Sequence, residues 1–270
     1  MQADSTIRVG AVSYLNTKPL VHGLAAAHSD IELVFDLPSR LADQLADGDL
    51  DVALIPSVEF FQDPSYAIVS DACIACRGPV WSVKLFFRKP PAQVETLALD
   101  EGSRTSAALS KVLLSERYGL KPQTMPLPID SPFDSVDADA VLIIGDRAIH
   151  TPDEQFVEVW DLGQEWRAWS GKPFVFAAWV ARPGFDTPQI AAALSAARDA
   201  GLENLAEIAA AEAPQHRLTT QQCLTYLRDN LHFILGSDEE SGLALFHAHA
   251  VQRGLAPPND RWTRHDCKAT

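Results

Sequence analysis

The sequence lacks a long apolar run: nowhere in its 270 residues do about eighteen or more apolar residues follow one another, so we expect no membrane span. It also lacks an N-terminal basic segment followed by an apolar one, so we expect a cytoplasmic protein without a secretory signal. Positive charge is scarce, because 22 Lys and Arg residues stand against 36 Asp and Glu residues, a net charge of −14. This balance disfavours nucleic acid and membrane surfaces as partners, although backbone amides can still bind a small anion.

Cysteine is also sparse, and four cysteines do not suggest a disulfide framework in a chain of this size. Cys73 and Cys76 form a lone CxxC in a strand-like run, where positions three apart face opposite sides. We therefore expect buried reduced thiols and no metal site. The patterns GxxxxGK[ST], GxGxxG, HExxH and GxSxG are absent, which argues against a nucleotide-phosphate loop, a zinc protease and a nucleophile elbow.

What is present is an alternation of strands and helices, with 47% hydrophobic residues to form cores. This alternation predicts an α/β protein with two lobes of mixed, mostly parallel sheet flanked by helices. The predicted strands are Ile7–Val12, Glu32–Pro38, Asp51–Ser57, Ser82–Lys89, Thr96–Asp100, Ala140–Asp146 and Phe174–Pro183.

The remaining elements are predicted to be helical. Ser39 should cap a helix that ends at Gly48, and a helix with Leu109, Val112 and Leu113 on one face should stop at Gly119. After the last strand only helices are expected, at Gln189–Ala213, at Thr220–Leu235 and after a capping box formed by Ser237 and Glu240.

Two similar strand–helix cycles require two connections between the lobes. The segments Phe87–Pro91 and Phe174–Val180 are the predicted crossings. The first lobe is then residues 1–88 plus 177–270, the second is residues 89–176, and a ligand cleft lies between them. Ligands of such sheets bind beyond the carboxyl ends of the strands.

Polar residues follow several predicted strands and are the candidate ligand contacts. They are Ser13, Tyr14, Asn16, Ser57, Glu59, Ser82, Ser103, Arg104, Thr105, Ser106, Gly145 and Asp146. The Ser13–Thr17 turn could face a ligand, or Asn16 or Thr17 could simply cap a helix. Ser103–Ser106 opens a helix, where hydroxyls and free amides suit a carboxylate or phosphate, although Ser and Thr are also favoured there as caps.

Six segments in order, over about residues 7–180, together resemble the menaquinone-biosynthesis chorismate dehydratases of the futalosine route. These segments are VGAVSYLNTKPLVHGL, LADGDLDVALIPSVEFF, CIACRGPVWSVKLFFRK, TLALDEGSRTSAALSKVLL, LIIGDRAI and DLGQEWRAWSGKPFVFAAW. The resemblance implies a fold similar to type II periplasmic binding proteins, no metal or organic cofactor, and loss of water from the dicarboxylate chorismate to give 3-[(1-carboxyvinyl)oxy]benzoate. It implies catalytic roles for Asn16 and Ser82, which match family positions associated with the reacting part of the substrate.

Other interpretations remain open at this point. A sister cyclase that makes dihydroxynaphthoate shares the fold but resembles an SPCPND opening, whereas this chain has SYLNTK, and His150 is not an obvious match to its catalytic histidine. A non-catalytic carboxylate-binding protein is another alternative. For the dehydratase, Glu59 or Asp146 could be the base. A negatively charged side chain beside a dianionic substrate is unfavourable unless its pKa is raised, so we favour the substrate's own enolpyruvyl carboxylate as the base.

Overall fold

The computed structural model describes residues 6–129, 131–185, 188–258 and 263–264. Its strands are β1 Ile7–Val12, β2 Ile31–Asp36, β3 Val52–Pro56, β4 Ala67–Cys76, β5 Val83–Phe87, β6 Thr96–Asp100, β7 Gln123–Leu127, β8 Ala140–Ile144, β9 Glu158–Asp161, β10 Phe174–Ala181, β11 His232–Ile234 and β12 Thr263–Arg264. Its α-helices are α1 Leu24–Ala27, α2 Pro38–Ala46, α3 Ser57–Phe60, α4 Arg104–Tyr118, α5 Asp146–Ile149, α6 Leu162–Ser170, α7 Pro188–Glu203, α8 Leu205–Glu212, α9 Thr220–Thr225 and α10 Ser237–Gln252.

The strands form two mixed sheets, as predicted. The first has the order β11-β4-β10-β3-β1-β2, with β12 beside β4, and the second has the order β7-β6-β8-β5-β9. The pairs β1–β2, β1–β3, β6–β7 and β6–β8 are parallel, whereas β10 and β5 each pair antiparallel with both of their neighbours. The sheet centres are buried along their whole length: β3, β5, β8 and β10 are buried at every residue, because helices cover both faces. All of these residues are apolar except Lys84 in β5, which pairs with Asp153.

The chain changes sheet earlier than the sequence predicted. Strand β5 pairs with β8 and β9, so it belongs to the second sheet, and the first crossing lies at residues 77–82 rather than at Phe87–Pro91. The return precedes β10, at residues 171–173, whereas the predicted Phe174–Val180 crossing lies within β10 in the first sheet. The residues of a buried strand give no sign of which sheet the strand will join. This explains why the predicted boundary between the lobes was displaced.

The segment Thr220–Leu235 is not one helix, and this prediction was wrong. Helix α9 ends at Thr225, a π-helical turn follows at Tyr226–Asn230, and β11 then pairs antiparallel with β4. The amphipathic pattern could not reveal this outcome, because the edge of β4 supplies hydrogen bonds that local sequence does not contain. The predicted helix Gln189–Ala213 is likewise two helices, α7 and α8, which meet at Asn204.

Two predicted helix starts also differ in detail. Helix α2 begins at Pro38 after Leu37, and Ser39 lies inside it rather than capping it, because proline already supplies the backbone angle of a first turn. Helix α10 begins after Gly236, whose N–H donates to Glu239 Oε2 at 3.3 Å, so Glu239 rather than Glu240 makes the capping contact. By contrast, α4 ends at Gly119 with φ +68, as predicted.

The predicted buried thiols are confirmed. Cys73 and Cys76 are both fully buried on β4, and burial raises the pKa of the Cys76 thiol to about 12. A thiol of this pKa stays protonated near neutral pH and is a poor nucleophile or metal ligand. Among the described helices, none is long and apolar enough to cross a membrane.

Candidate functional site

A pocket of about 500 Å³, counting its open mouth, lies where the two sheets meet. The first sheet contributes the ends of β1 and β3, and the second contributes the end of β8 and the start of α4. The lining residues are Val12, Tyr14, Asn16, Pro38, Pro56, Ile74, Val80, Ser82, Val83, Ser103, Thr105, Ser106, Ile144, Gly145, Phe176 and Ala177. The carboxyl ends of parallel strands are where ligands of such sheets bind.

Of the twelve residues that the sequence nominated, seven line this pocket. They are Tyr14, Asn16, Ser82, Ser103, Thr105, Ser106 and Gly145. The five that do not line it are Ser13, Ser57, Glu59, Arg104 and Asp146.

The turn after β1 brings two side chains to the pocket. Tyr14 precedes a 3-10 helix, Leu15–Val21, and no side chain caps this helix, so the capping interpretation of Asn16 and Thr17 was wrong. The Thr17 hydroxyl instead donates to Asn16 Oδ1 at 3.3 Å. The Tyr14 ring crosses to the second sheet and lies against Gly145, where a Cβ atom would come within 2.8 Å of Tyr14 Cζ.

A strained turn presents Ser82. The Ser82 N–H donates to Val80 O at 2.8 Å across Trp81, whose φ is +66°, which is the geometry of a γ-turn. Asp161 holds the turn, because its carboxylate accepts the N–H groups of Val80 at 2.9 Å and Trp81 at 2.6 Å. Such strain persists only where the surroundings impose it, and it often marks functional sites.

The N-terminus of α4 forms the opposite wall. Ser103 Oγ accepts the Ser106 N–H at 3.2 Å, so Ser103 is the helix cap, and both residues still face the pocket. Thr105 Oγ1 accepts the Val58 N–H at 3.2 Å, which ties the helix to the end of β3 in the other sheet. The positive end of the α4 dipole therefore faces the pocket from the second sheet.

Two nominated residues have structural roles outside the pocket. Ser57 is buried and donates to Val175 O at 2.8 Å, which fastens the end of β3 to β10. Ser13 is exposed, and its N–H continues the β1 ladder by donating to Asp36 O at 3.0 Å.

The three charged nominees form ion pairs beside the pocket instead of lining it. Arg104 contacts Asp43 at 2.8 Å and Glu59 at 3.2 Å, and so bridges from the second sheet's helix to α2 and α3. Asp146 lies 3.1 Å from the His216 imidazole. Burial raises the pKa of Asp146, while His216 opposes that shift.

No Asp, Glu, His, Lys or Arg side chain is among the lining residues that the structure describes. Hydrogen-bond donors to a ligand must therefore come from the hydroxyls, the Asn16 amide and the backbone at the start of α4. Within this lining, only dipoles are available to attract an anion, and dipoles remain fixed when pH changes.

A family model described as menaquinone biosynthesis matches residues 7–252. The chorismate dehydratase of Thermus thermophilus is 32% identical over 276 residues, and the match covers 92% of this chain and 96% of the relative. The chain belongs to the menaquinone-biosynthesis family. The matched region contains every described strand except β12, and every residue of the pocket.

Solved structures with the same fold include binding proteins. A crystal structure of a protein from Archaeoglobus fulgidus has a TM-score of 0.72 at 17% identity and covers 94% of this chain and 100% of its own. The periplasmic aliphatic sulphonate binding protein of Escherichia coli has a TM-score of 0.62 at 15% identity and covers 98% of this chain and 95% of its own. At these identities the likeness confirms the predicted periplasmic-binding-protein-like fold.

The sequence missed the residues that hold Ser82 in place. Neither Asp161 nor Tyr226 was a candidate, although the Tyr226 hydroxyl donates to Ser82 Oγ at 2.8 Å. Tyr226 is 144 residues away along the chain and lies in a segment that the pattern assigned to a plain helix, so no local signal could find it. No group of three or more His, Cys, Asp or Glu side chains within the described ranges is placed to hold a metal ion. The absence of a metal or cofactor stays a prediction.

Proposed function

We propose that this protein is a hydro-lyase that removes water from chorismate to give 3-[(1-carboxyvinyl)oxy]benzoate, as a step of menaquinone biosynthesis through futalosine. The observation that carries the proposal is the pocket itself: Asn16 and Ser82 face the N-terminus of α4 across a space lined without a charged side chain. A relative with 32% identity is named for this reaction.

The two walls suit the two carboxylates of chorismate. Ser103, Ser106 and the amides of the first turn of α4 bind one of them, because a helix N-terminus attracts negative charge. Asn16 and Ser82 bind the other, on the ring. Pocket walls such as Ile74 and Phe176 are apolar and contact the ring between its charged groups.

The donors on the ring carboxylate assist the elimination. The proton at C3 is vinylogous to this carboxylate, so its removal moves charge onto the carboxylate oxygens as an enediolate. The C4 hydroxyl leaves and takes up a proton equivalent to the one removed from C3, which makes the ring aromatic and releases water. Hydrogen bonds from Asn16 and Ser82 strengthen as that charge develops, and the loss of one such donor typically costs about 2.7–4 kcal/mol of transition-state stabilisation.

The enolpyruvyl carboxylate of the substrate takes the C3 proton in this proposal. The structure supports this choice, because Glu59 is paired with Arg104 and Asp146 with His216, and neither lines the pocket. We therefore expect Glu59→Gln to retain turnover within about tenfold of the wild type, since a lost general base typically costs about 10²–10⁴-fold. Steady-state rates with chorismate check this expectation. A Glu59→Gln protein that binds chorismate normally but does not turn it over would show that the substrate is not the base.

The decisive assay mixes the purified protein with chorismate and follows the substituted benzoate by its mass and absorbance. Conversion well above the spontaneous rate supports the proposal. Chorismate binding without conversion, at an enzyme concentration that detects a few turnovers, would instead indicate a non-catalytic carboxylate-binding protein. The sister cyclase has no observation in its favour, because His150 contacts His216 O at 2.8 Å and is not among the lining residues.

A further inference from the structure

A tyrosine lies directly behind the two candidate catalytic residues. Tyr226 is fully buried and is not itself a lining residue of the pocket. Its hydroxyl donates to Ser82 Oγ at 2.8 Å. Burial raises the pKa of this hydroxyl, and the nearby Ser82 and Asn16 side chains act to lower it. The phenol group is therefore tied directly to the pocket residue at the β4–β5 crossing.

The hydrogen bond between Tyr226 and Ser82 has one direction. A phenol has a single proton, and here Ser82 Oγ accepts it, so Ser82 does not use its own proton on Tyr226. A bond from Tyr226 to Ser82 and a bond from Ser82 onward are then aligned, and bonds aligned in this way polarise one another.

Ser82 is left with its own proton to donate. Its protein acceptor is Val80 O, at 3.5 Å, which is the long limit of a hydrogen bond. A substrate oxygen in the pocket can accept this proton at a better distance. Because burial raises the pKa of Tyr226 well above its usual value, the phenol stays protonated and remains a donor at neutral pH.

The backbone around Tyr226 supports the same role. Tyr226 begins the π-helical turn, and the Leu231 N–H donates to Tyr226 O at 3.3 Å. Single π-helical turns occur frequently at functional sites. The Tyr226 ring also meets the Trp81 ring edge-on, with centroids 5.7 Å apart, and Trp81 is the strained residue of the turn that precedes Ser82.

We propose that Tyr226 is a positioning residue that aims the Ser82 hydroxyl at the reacting part of the substrate. The inference rests on the proposed function, because the reaction is what this hydroxyl would serve. Tyr226 acts through Ser82 and does not touch the substrate.

The test is Tyr226→Phe, which keeps the ring packing and removes only the hydroxyl. We expect kcat with chorismate to fall roughly ten- to a hundredfold, because small misplacements of reacting groups cost that much, while KM stays within about twofold. In a Ser82→Ala background the same change should have almost no further effect, because the group that Tyr226 positions is already gone. Tyr66→Phe, at another buried tyrosine away from the pocket lining, is the matched control and should leave kcat unchanged.

The outcomes separate the two proposals. No conversion of chorismate by the wild type removes the proposed function. If the wild type converts chorismate and Tyr226→Phe has the same kcat, Tyr226 has no positioning role. The same conclusion follows if Tyr226→Phe lowers kcat equally in the wild-type and Ser82→Ala backgrounds. In both cases the proposed function still holds.

A second measurement does not depend on whether Tyr226→Phe folds. When the tyrosines carry ¹³C at the ring Cζ atom, the four tyrosines of the chain give four NMR signals. The variants Tyr14→Phe, Tyr66→Phe and Tyr118→Phe each remove one signal, and the remaining signal belongs to Tyr226. Ser82→Ala should shift the Tyr226 signal. An unshifted signal would show that the hydrogen bond to Ser82 is not made.

Discussion

Trp81 adopts a backbone conformation that residues with a side chain rarely take, and it does so one residue before Ser82. Trp81 and Arg217 are the non-glycine residues with positive φ within the described ranges. The two N–H groups bound by Asp161 and the contact with Tyr226 fix the turn. The sequence indicated Ser82 as a candidate but not the turn, because the groups that impose it are distant along the chain.

Gly145 is a residue that the pocket requires to be glycine. Its φ of +66° and ψ of −154° lie in a region that only glycine occupies readily, and a Cβ atom there would clash with the Tyr14 ring. Gly145→Ala should lower the free energy of unfolding and displace Tyr14, which weakens chorismate binding. Urea unfolding and KM measure the two effects.

Gly119→Ala is the control for this prediction. Gly119 has φ +68°, but nothing lies within 4 Å of its added Cβ atom, so only the backbone cost of about 1–2 kcal/mol applies. The loss at Gly145 should exceed that at Gly119 by at least about 1 kcal/mol, which is the usual cost of overpacking. Equal losses would mean that Tyr14 moves aside without cost.

Asp139 joins two strands of the second sheet. Its carboxylate accepts the N–H groups of Glu95 at 2.9 Å and Thr96 at 3.0 Å and pairs with Lys89 at 2.6 Å. Burial acts to raise its pKa, but these contacts outweigh burial and hold the pKa at about 2, below its ordinary 3.8.

A pKa lowered by folding stabilises the folded state above the ordinary value and loses that contribution as pH falls toward the folded value. For Asp139 this window runs from about pH 4 down to about pH 2. Asp139→Asn should therefore be less stable than the wild type at neutral pH and should lose less stability across the window. Denaturant unfolding between pH 2 and 7 measures both. If the free energy of unfolding of the two proteins changed with pH in the same way, the contacts of Asp139 would not be what lowers its pKa.

The sequence predicted most of the elements that form the pocket but not their pairing. The strands Ile7–Val12 and Thr96–Asp100 have the predicted bounds, because alternating and continuous apolar runs are local features. The edge strand β11 was missed and β5 was placed in the wrong lobe, because pairing depends on distant partners. Seven of the nominated residues line the pocket because strand ends are readable from sequence, whereas Tyr226 is not.

The two sheets are held together by contacts around the pocket. Arg104 spans to Asp43 and Glu59, and Asp146 contacts His216 and accepts the Leu15 N–H at 3.4 Å. These partly exposed pairs lie outside the pocket lining. They stabilise the arrangement in which α4 faces the β1 turn.

Arg104→Gln should loosen this arrangement without removing a group that contacts the substrate. We expect KM for chorismate to rise about two- to fivefold with kcat nearly unchanged, which corresponds to the small energy of a partly exposed ion pair. Arg40→Gln is the control, because Arg40 pairs with Asp36 beside the first sheet and this pair does not connect the two sheets. An equal effect from both variants would show that the Arg104 pairs do not hold α4 in place against the first sheet.

In the proposed function, the pocket between the sheets dehydrates chorismate with Asn16 and Ser82 as the donors. The rate of benzoate formation by Asn16→Ala and Ser82→Ala at saturating chorismate, beside the wild type, tests this assignment. Each rate should fall roughly ten- to a thousandfold while the proteins remain folded. Wild-type rates in both variants would show that neither residue serves the reaction and that the reaction takes place elsewhere.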